Sequence, residues 1–300
     1  MVMRVHLVDG TFELFRAHFS PRMASHRARA GGEAKATVGL VISLLGLLHD
    51  AAEGVTHLAV AFDNPIRSFR NDLWAGYKSD EGVPPELRAQ FDAAEEAARA
   101  LGLVVWSMRE LEADDALATG VRRFRDAVEQ VRIVTPDKDL GQCLDGGRVV
   151  MVDRVRRREI DEGSLLARRG IRPESVPDYL ALVGDSADGI PGVPGFGPVT
   201  AARLLAAHGH LDAIPEQPAR WPAGIRGATQ LAATLVEHRD AAVLYRRLAT
   251  LVSDAPLAES LEELRWQGIP RARFERWCEK VDARPLLATL GARSARWADG

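Results

Sequence analysis

The stretch VRIVTPDKD, residues 131–139, decides how the rest of the chain is read. Its first four residues have the β-branched composition of a strand, and Pro136, which cannot donate to a ladder, halts it. Two carboxylates, Asp137 and Asp139, follow at once. Working outward, the same signature recurs upstream: an apolar run at 5–8 closes on Asp9, and another at 56–62 closes on Asp63. Residues 103–106 and 148–152 add two further strands. Between them lie helical patterns at 36–52, where the apolar residues are too dense for one stripe, at 86–101, and at 112–128. The last has Glu112, Asp114 and Asp115 in its first turn and Arg122, Arg123 and Arg125 later, an order that suits the helix dipole. Strands alternating with helices predict an α/β fold, a mostly parallel sheet with helices on both faces.

After residue 161 no strand pattern continues. Helical segments are separated by Gly/Pro turns, most densely in GDSADGIPGVPGFGPVTA, residues 184–201. A boundary is expected between 160 and 175, giving domains 1–170 and 171–300, the second helical. Residues 255–300, with Trp266, Trp277 and Trp297, read as a helical cap.

Composition frames the function. Across 300 residues, 46% hydrophobic and 27% charged content is that of a soluble globular protein with a sizeable core. The two cysteines, Cys143 and Cys278, form no CxxC or Cys/His spacing, so neither a zinc site nor a disulfide framework is indicated. The chain opens MVMRVHLVDG without a signal-peptide core, and its most apolar run, 37–48, is short of the ~20 residues of a membrane span. A cytoplasmic protein without membrane contact is expected. The net charge of −3 argues mildly against nucleic acid. Arginines nevertheless cluster at Arg22, Arg27 and Arg29, at Arg122, Arg123 and Arg125, and at Arg154 with Arg156 to Arg158. Each cluster alone reads as solvated surface.

The acids carry more. In open α/β sheets, ligands bind beyond the carboxyl ends of the strands, where Asp9, Asp63, Asp137 and Asp139 fall. Glu112 and Asp115, three apart on one helix face, join them with Asp114. Singly, each admits a plainer role: Asp9 as a turn or N-cap, EADD as the charge bias of a helix start, DKD as a solvated loop. Together they repel, and burying unpaired carboxylates costs several kcal/mol each unless cations or substrate neutralise them. Oxygen ligands without His or Cys point to a hard cation, Mg²⁺ or Mn²⁺. More acids than one ion needs point to a two-metal site working on a phosphodiester. No GxxxxGK[ST] loop or Gly-rich dinucleotide turn is present, which disfavours nucleotide hydrolysis. Gly192, Gly195 and Gly197, in a turn before a helix starting near Pro198, predict a helix-hairpin-helix whose amides grip a phosphate backbone.

LVDG (7–10), AFD (61–63), GYK (76–78), EADD (112–115), TPDKD (135–139) and GDSADGIPGVPG (184–195) occur in an order that resembles the 5′-nuclease (flap endonuclease) family, in its bacterial DNA polymerase I type. The likeness spans most of residues 4–250. It implies a PIN-like nuclease domain with a helical arch over about 64–100, then a helix-3-turn-helix region. It implies metal ligands at Asp9, Asp63, Glu112, Asp114, Asp115, Asp137, Asp139, Asp185 and Asp188, the last two reached only through the resemblance. Lys78, Asp114 and Asp137 are the implied catalytic residues. Tyr77 is expected to stack on a base and Lys78 to assist the scissile phosphate. Arg16, Arg70 and the turn residues Gly192, Gly195, Gly197 and Thr200 are expected to contact DNA, with K⁺ as a further ion of the turn. The implied reaction is hydrolysis near a 5′ end of flap, nicked or recessed duplex DNA, leaving 5′-phosphate and 3′-hydroxyl, by a monomer serving primer removal and repair.

Three departures stand out. Glu81 replaces an arginine usual three residues past the lysine, Pro198-Val199 replaces a Glu-Lys pair, and a chain of 300 residues leaves no room for a polymerase, so a free-standing nuclease is expected. Two other readings stay open: a structure-specific DNA-binding protein with little or no catalysis, and a PIN-type ribonuclease.

Overall fold

The structure is a computed structural model and describes residues 3–23, 26–29, 31–287 and 297–298. The elements run β1 (Arg4–Asp9), α1 (Gly10–Phe19), α2 (Lys35–Leu48), β2 (His57–Asp63), α3 (Arg70–Leu73), α4 (Pro85–Arg88), α5 (Phe91–Ala100), β3 (Val104–Met108), α6 (Ala113–Phe124), β4 (Gln130–Val134), β5 (Val149–Asp153), β6 (Arg158–Ile160), α7 (Glu162–Arg169), α8 (Val176–Val183), α9 (Pro198–His208), α10 (Ala228–Glu237), α11 (Arg239–Ala249) and α12 (Arg271–Lys280). They form two compact units interleaved along the chain: Met1–Ile66, Asp80–Val134 and Ser253–Gly300 in one, Arg67–Ser79 and Thr135–Val252 in the other.

The first unit is built on parallel strands in the order β3-β2-β1-β4. Leu7 faces Ala59 and Ile133 in register, and Ala61 faces Trp106. Both faces of these strands are covered, which is why β1 and β2 are buried almost continuously instead of alternating. Helix α6 packs on β1, β2 and β3, α5 on β3 and α2, and α12 on α5. The close seat of α6 depends on Gly120, where a Cβ would come within 2.9 Å of Leu7 and Trp106. The second unit holds the antiparallel pair β5–β6, then the helices α7 to α11, with α8 packed on α9 and α11. The fold is thus a mixed, mostly parallel sheet flanked by helices, followed by a helical region, as the alternation of patterns implies.

Three local expectations need correction. The helix expected over 86–101 breaks between α4 and α5. At the break Gln90, 1% exposed, turns its amide oxygen to the Thr37 N–H at 3.1 Å. It thereby satisfies a donor at the start of α2, whose N-cap Ala34 has no side chain to do so. The arch expected over 64–100 is not a single helical hairpin: α3 and α4 are one turn each, and α5 buries Phe91, Ala94, Ala97 and Ala98 within the first unit. Strand β6 has only three residues, REI, too few and too polar to register as an apolar run. Of the cap expected over 255–300, α12 is present, while residues 288–296, 299 and 300 lie outside the described residues.

Candidate metal centre and nucleic-acid interface

In the first unit the strand-end acids are helix caps. Asp9 Oδ1 accepts from Phe12 N at 2.8 Å and so starts α1. Asp63 Oδ1 accepts from Ala113 N at 2.7 Å, joining the end of β2 to the start of α6, while its own amide donates to Thr11 Oγ1. Asp115 Oδ2 accepts from Glu112 N at 3.0 Å, one arm of a capping box. The plainer reading of each acid is therefore realised without competing with the sharper one. A helix N-terminus stabilises a carboxylate held against it; Asp9, Glu112 and Asp115 are buried, and Asp114 and Asp63 half-buried.

The second unit gathers Asp137, Asp139, Asp185 and Asp188. Asp137 follows β4 and caps the short 3₁₀ turn Lys138–Cys143, its Oδ1 accepting from Asp139 N at 2.9 Å. Asp185 and Asp188 come from the turn after α8, which closes on itself through Asp185 N to Ile190 O and Ile190 N to Asp185 O, both 2.8 Å. Oxygens of Asp139, Asp185 and Asp188 all lie within 4.8 Å of one another. Burial, then the charge of Asp137 and those of Asp188 and Asp185, push the Asp139 carboxyl well above its usual range against the pull of Lys138. Asp139 Oδ1 is buried and has no hydrogen-bond partner. Lys138 Nζ stands 3.5 Å from that oxygen and pairs with Asp185. Burial alone would lower the ammonium pKa, but Asp139, Asp185 and Asp137 outweigh it and hold it above the usual value. An all-oxygen donor set with an orphaned buried carboxylate oxygen fits a hard divalent cation.

Lys78 belongs to this group. Its Nζ is 3.2 Å from Asp188 Oδ1, and its amide donates to Asp188 O at 3.0 Å. Trp74 Nε1 donates to Gly189 O at 3.1 Å, so residues 74–78 lie along the acidic turn. Gly189 makes this approach possible: its φ is +71°, and a Cβ there would stand 1.9 Å from Gly76 O.

The expected DNA contacts divide. Arg70 is 1% exposed and gives its Nε to Leu248 O at 2.8 Å and Nη2 to Thr250 O at 3.0 Å. It anchors the end of α11. Tyr77 is 5% exposed, with Lys78 Nζ 5.6 Å from its ring centroid. Arg16 is half-buried and pairs with Glu13 while donating to Ser43 Oγ at 2.8 Å. In the hairpin, Gly192 is buried with φ +76°, and a Cβ would stand 2.5 Å from Gly184 N, a packing constraint. Gly195 is exposed, Gly197 caps α9, and Thr200 lies half-buried in the first turn of α9. Val199 beside it is 72% exposed.

Sequence reasoning missed Lys138 as a cation inside the cluster, although its place between the two acids of TPDKD was the available signal. It also missed Gln142, whose Nε2 donates to Asp139 O at 2.9 Å and Ala249 O at 3.1 Å and whose Oε1 accepts from Leu251 N. No motif marks it, because two of its three partners, Ala249 and Leu251, lie over a hundred residues away.

Residues 4–170 match the family model of the 5′-3′ exonuclease N-terminal resolvase-like domain, and 171–272 that of the 5′-3′ exonuclease C-terminal SAM fold. The chain belongs to the 5′-3′ exonuclease family. DNA polymerase I of Pseudomonas aeruginosa is 35% identical over 275 residues, 88% of this chain and 29% of that polymerase. This family member thus spans under a third of that relative's length. The T5 D15 protein co-crystallised with metal ions has a similar fold, with TM-score 0.68 at 18% identity over 93% of this chain and 99% of that one. The bacteriophage T5 D15 flap endonuclease in complex with DNA and metal ions gives TM-score 0.62 at 18% identity and the same coverage. At that identity the likeness is one of fold.

Proposed function

We propose that this chain is a structure-specific 5′-nuclease, hydrolysing DNA phosphodiesters near a 5′ end or junction to 5′-phosphate and 3′-hydroxyl products. The observation that carries the reading is the convergence of Asp139, Asp185 and Asp188 around a buried oxygen without a donor, in a chain of the 5′-3′ exonuclease family. Asp137, Asp139, Asp185 and Asp188 would hold divalent cations, with Asp9, Asp63, Glu112, Asp114 and Asp115 as the further acids of the site. Mg²⁺ or Mn²⁺, when bound, would neutralise the scissile phosphate and lower the pKa of water. Asp137 and Asp63 cap helices and so fix their carboxylates before any ion arrives. Lys78, tethered to Asp188, would add positive charge at the reacting phosphate. The amides of the 192–197 turn and the start of α9 would grip the backbone, with K⁺ as a further ion of that turn. Residues 1–170 would carry most of the chemistry, joined by Asp185 and Asp188 from residues 171–300, which would otherwise supply the grip. The polymerase relatives make primer removal and repair in the cytoplasm the expected setting, and a monomer the expected form.

A 5′-flap duplex incubated with Mg²⁺ or Mn²⁺ tests this. Cleavage near the junction is expected, and Asp137→Asn should abolish it while leaving flap binding largely intact. Absence of cleavage with either ion at every salt concentration sinks the proposal. The burial of Arg70 and Tyr77 and the exposure of Val199 favour one second reading, a DNA-binding protein with slow turnover, which predicts tight flap binding without metal-dependent product.

A further inference from the structure

Arg158 and the two arginines at the end of α7 have no part in the reading above, yet they line a cavity. It lies within the second unit, has a volume of about 140 Å³, and takes Lys138, Arg158, Arg168 and Arg169 in its wall. Those four are the titratable groups on the wall, and no carboxylate lines it. Met151 and Leu165 are among the apolar residues that complete it.

Two of the four cations are already engaged. Lys138 pairs with Asp185, and Arg158 Nε donates to Asp153 Oδ2 at 3.1 Å. Arg168 and Arg169 have no carboxylate partner among the described residues; Arg169 lies 5.8 Å from the Tyr179 ring centroid. Their position in the last turn of α7 suits that helix's dipole. The dipole does not explain why the 3₁₀ turn after β4 and the strand β6 bring further cations to the same wall. An apolar lining lowers the local dielectric and strengthens attraction for an anion. At liquid water's share of about 30 Å³ per molecule, the space holds about five non-hydrogen atoms. That is room for one tetrahedral oxyanion.

We propose that this cavity is a phosphate subsite, taking one phosphate dianion behind the acidic cluster through Arg168 and Arg169. Lys138 belongs to both the cavity wall and the cluster, so an anion here is felt by the acids that Lys138 pairs with. The phosphate comes either from solution or from a strand's 5′ terminus, and the second source rests on the nuclease reading.

The test separates the two. Calorimetric titration of the full chain with inorganic phosphate, in chelator and without DNA, needs no nuclease activity. Saturable one-site binding is expected, weakened about tenfold or more in Arg168→Gln/Arg169→Gln and retained in Arg168→Lys/Arg169→Lys. A thermal melt of each variant controls for folding. Non-saturating uptake by the parent chain, or equal binding by the folded glutamine variant, overturns the proposal. A second arm compares cleavage of recessed duplexes bearing 5′-phosphate or 5′-hydroxyl. A preference for 5′-phosphate that disappears in the glutamine variant assigns the ligand to the strand end; phosphate binding with no such preference assigns it to the free anion.

Discussion

Replacing Lys138 by methionine keeps the stem's apolar volume and removes the cation paired with Asp185 and 3.5 Å from Asp139 Oδ1. Breaking a fully buried pair by deleting one partner costs about 3–5 kcal/mol. Lys138 is 33% exposed, so screening reduces this to about 1–3 kcal/mol. With about 2–4 °C per kcal/mol for a body of this size, the melting temperature in chelator should fall by about 2–12 °C. Divalent cation should then have the opposite effect on the comparison. In the parent chain an incoming ion must displace the ammonium from Asp185, whereas in Lys138→Met it meets uncompensated carboxylates. The rise in melting temperature on adding saturating Mn²⁺ should therefore be larger in the variant, since stabilisation grows as the logarithm of ligand over Kd. Differential scanning calorimetry with chelator and with Mn²⁺ reads both quantities. Equal melting temperatures in chelator, together with equal Mn²⁺-induced rises, would refute the idea that Lys138 stands in for charge the acids otherwise lack.

Two further outcomes follow from the geometry. Gly189→Ala puts a Cβ 1.9 Å from Gly76 O at a φ of +71°, so a loss of about 2–4 kcal/mol is expected by chemical denaturation, with release of residues 74–78. An unchanged midpoint would refute it. In the first unit, Glu53 is hydrogen-bonded to His6 and Arg132, and the His6 contact first, with Arg132, holds its carboxyl at about 2 against an ordinary 4.5. On acidification the unfolded chain takes the proton first, so stability present above about 4.5 is lost as pH falls toward 2. Glu53→Gln should remove about 1–2 kcal/mol at neutral pH and flatten that acid limb in pH-dependent denaturation. A limb of unchanged slope would count against it.

How much of this was legible differs by residue. Asp9, Asp63 and Asp137 were visible because each follows an apolar run long enough to be a strand, and a strand's carboxyl end is where an α/β fold exposes ligands. The second role as a cap was local for Asp9 and Asp137, which bond amides three and two residues on, but not for Asp63, whose partner Ala113 lies fifty residues away. Asp185 and Asp188 carried no such signal. They sit in a turn between helices, and only a family resemblance joined them to Asp139. The burial of Arg70 and Tyr77 was not legible, because a charged or aromatic residue near a basic motif looks exposed in a linear reading. Burial depends on what returns from far along the chain, here the 248–250 carbonyls for Arg70.

By itself, then, the sequence determined the alternation of strand and helix, the acids at strand ends, the glycine-rich hairpin and the family motifs, all of them properties of residue type and near-neighbour spacing. The tertiary structure decided which carboxylates converge, that Lys138 enters their midst, that Gln142 fastens Asp139's carbonyl, and that four cations share one cavity. Apart from the Gln142–Asp139 bond and the cavity wall, those are meetings between residues 46 to 109 apart in sequence. Periodicity records only which face a residue occupies, and distances across the chain exist only once the core has closed.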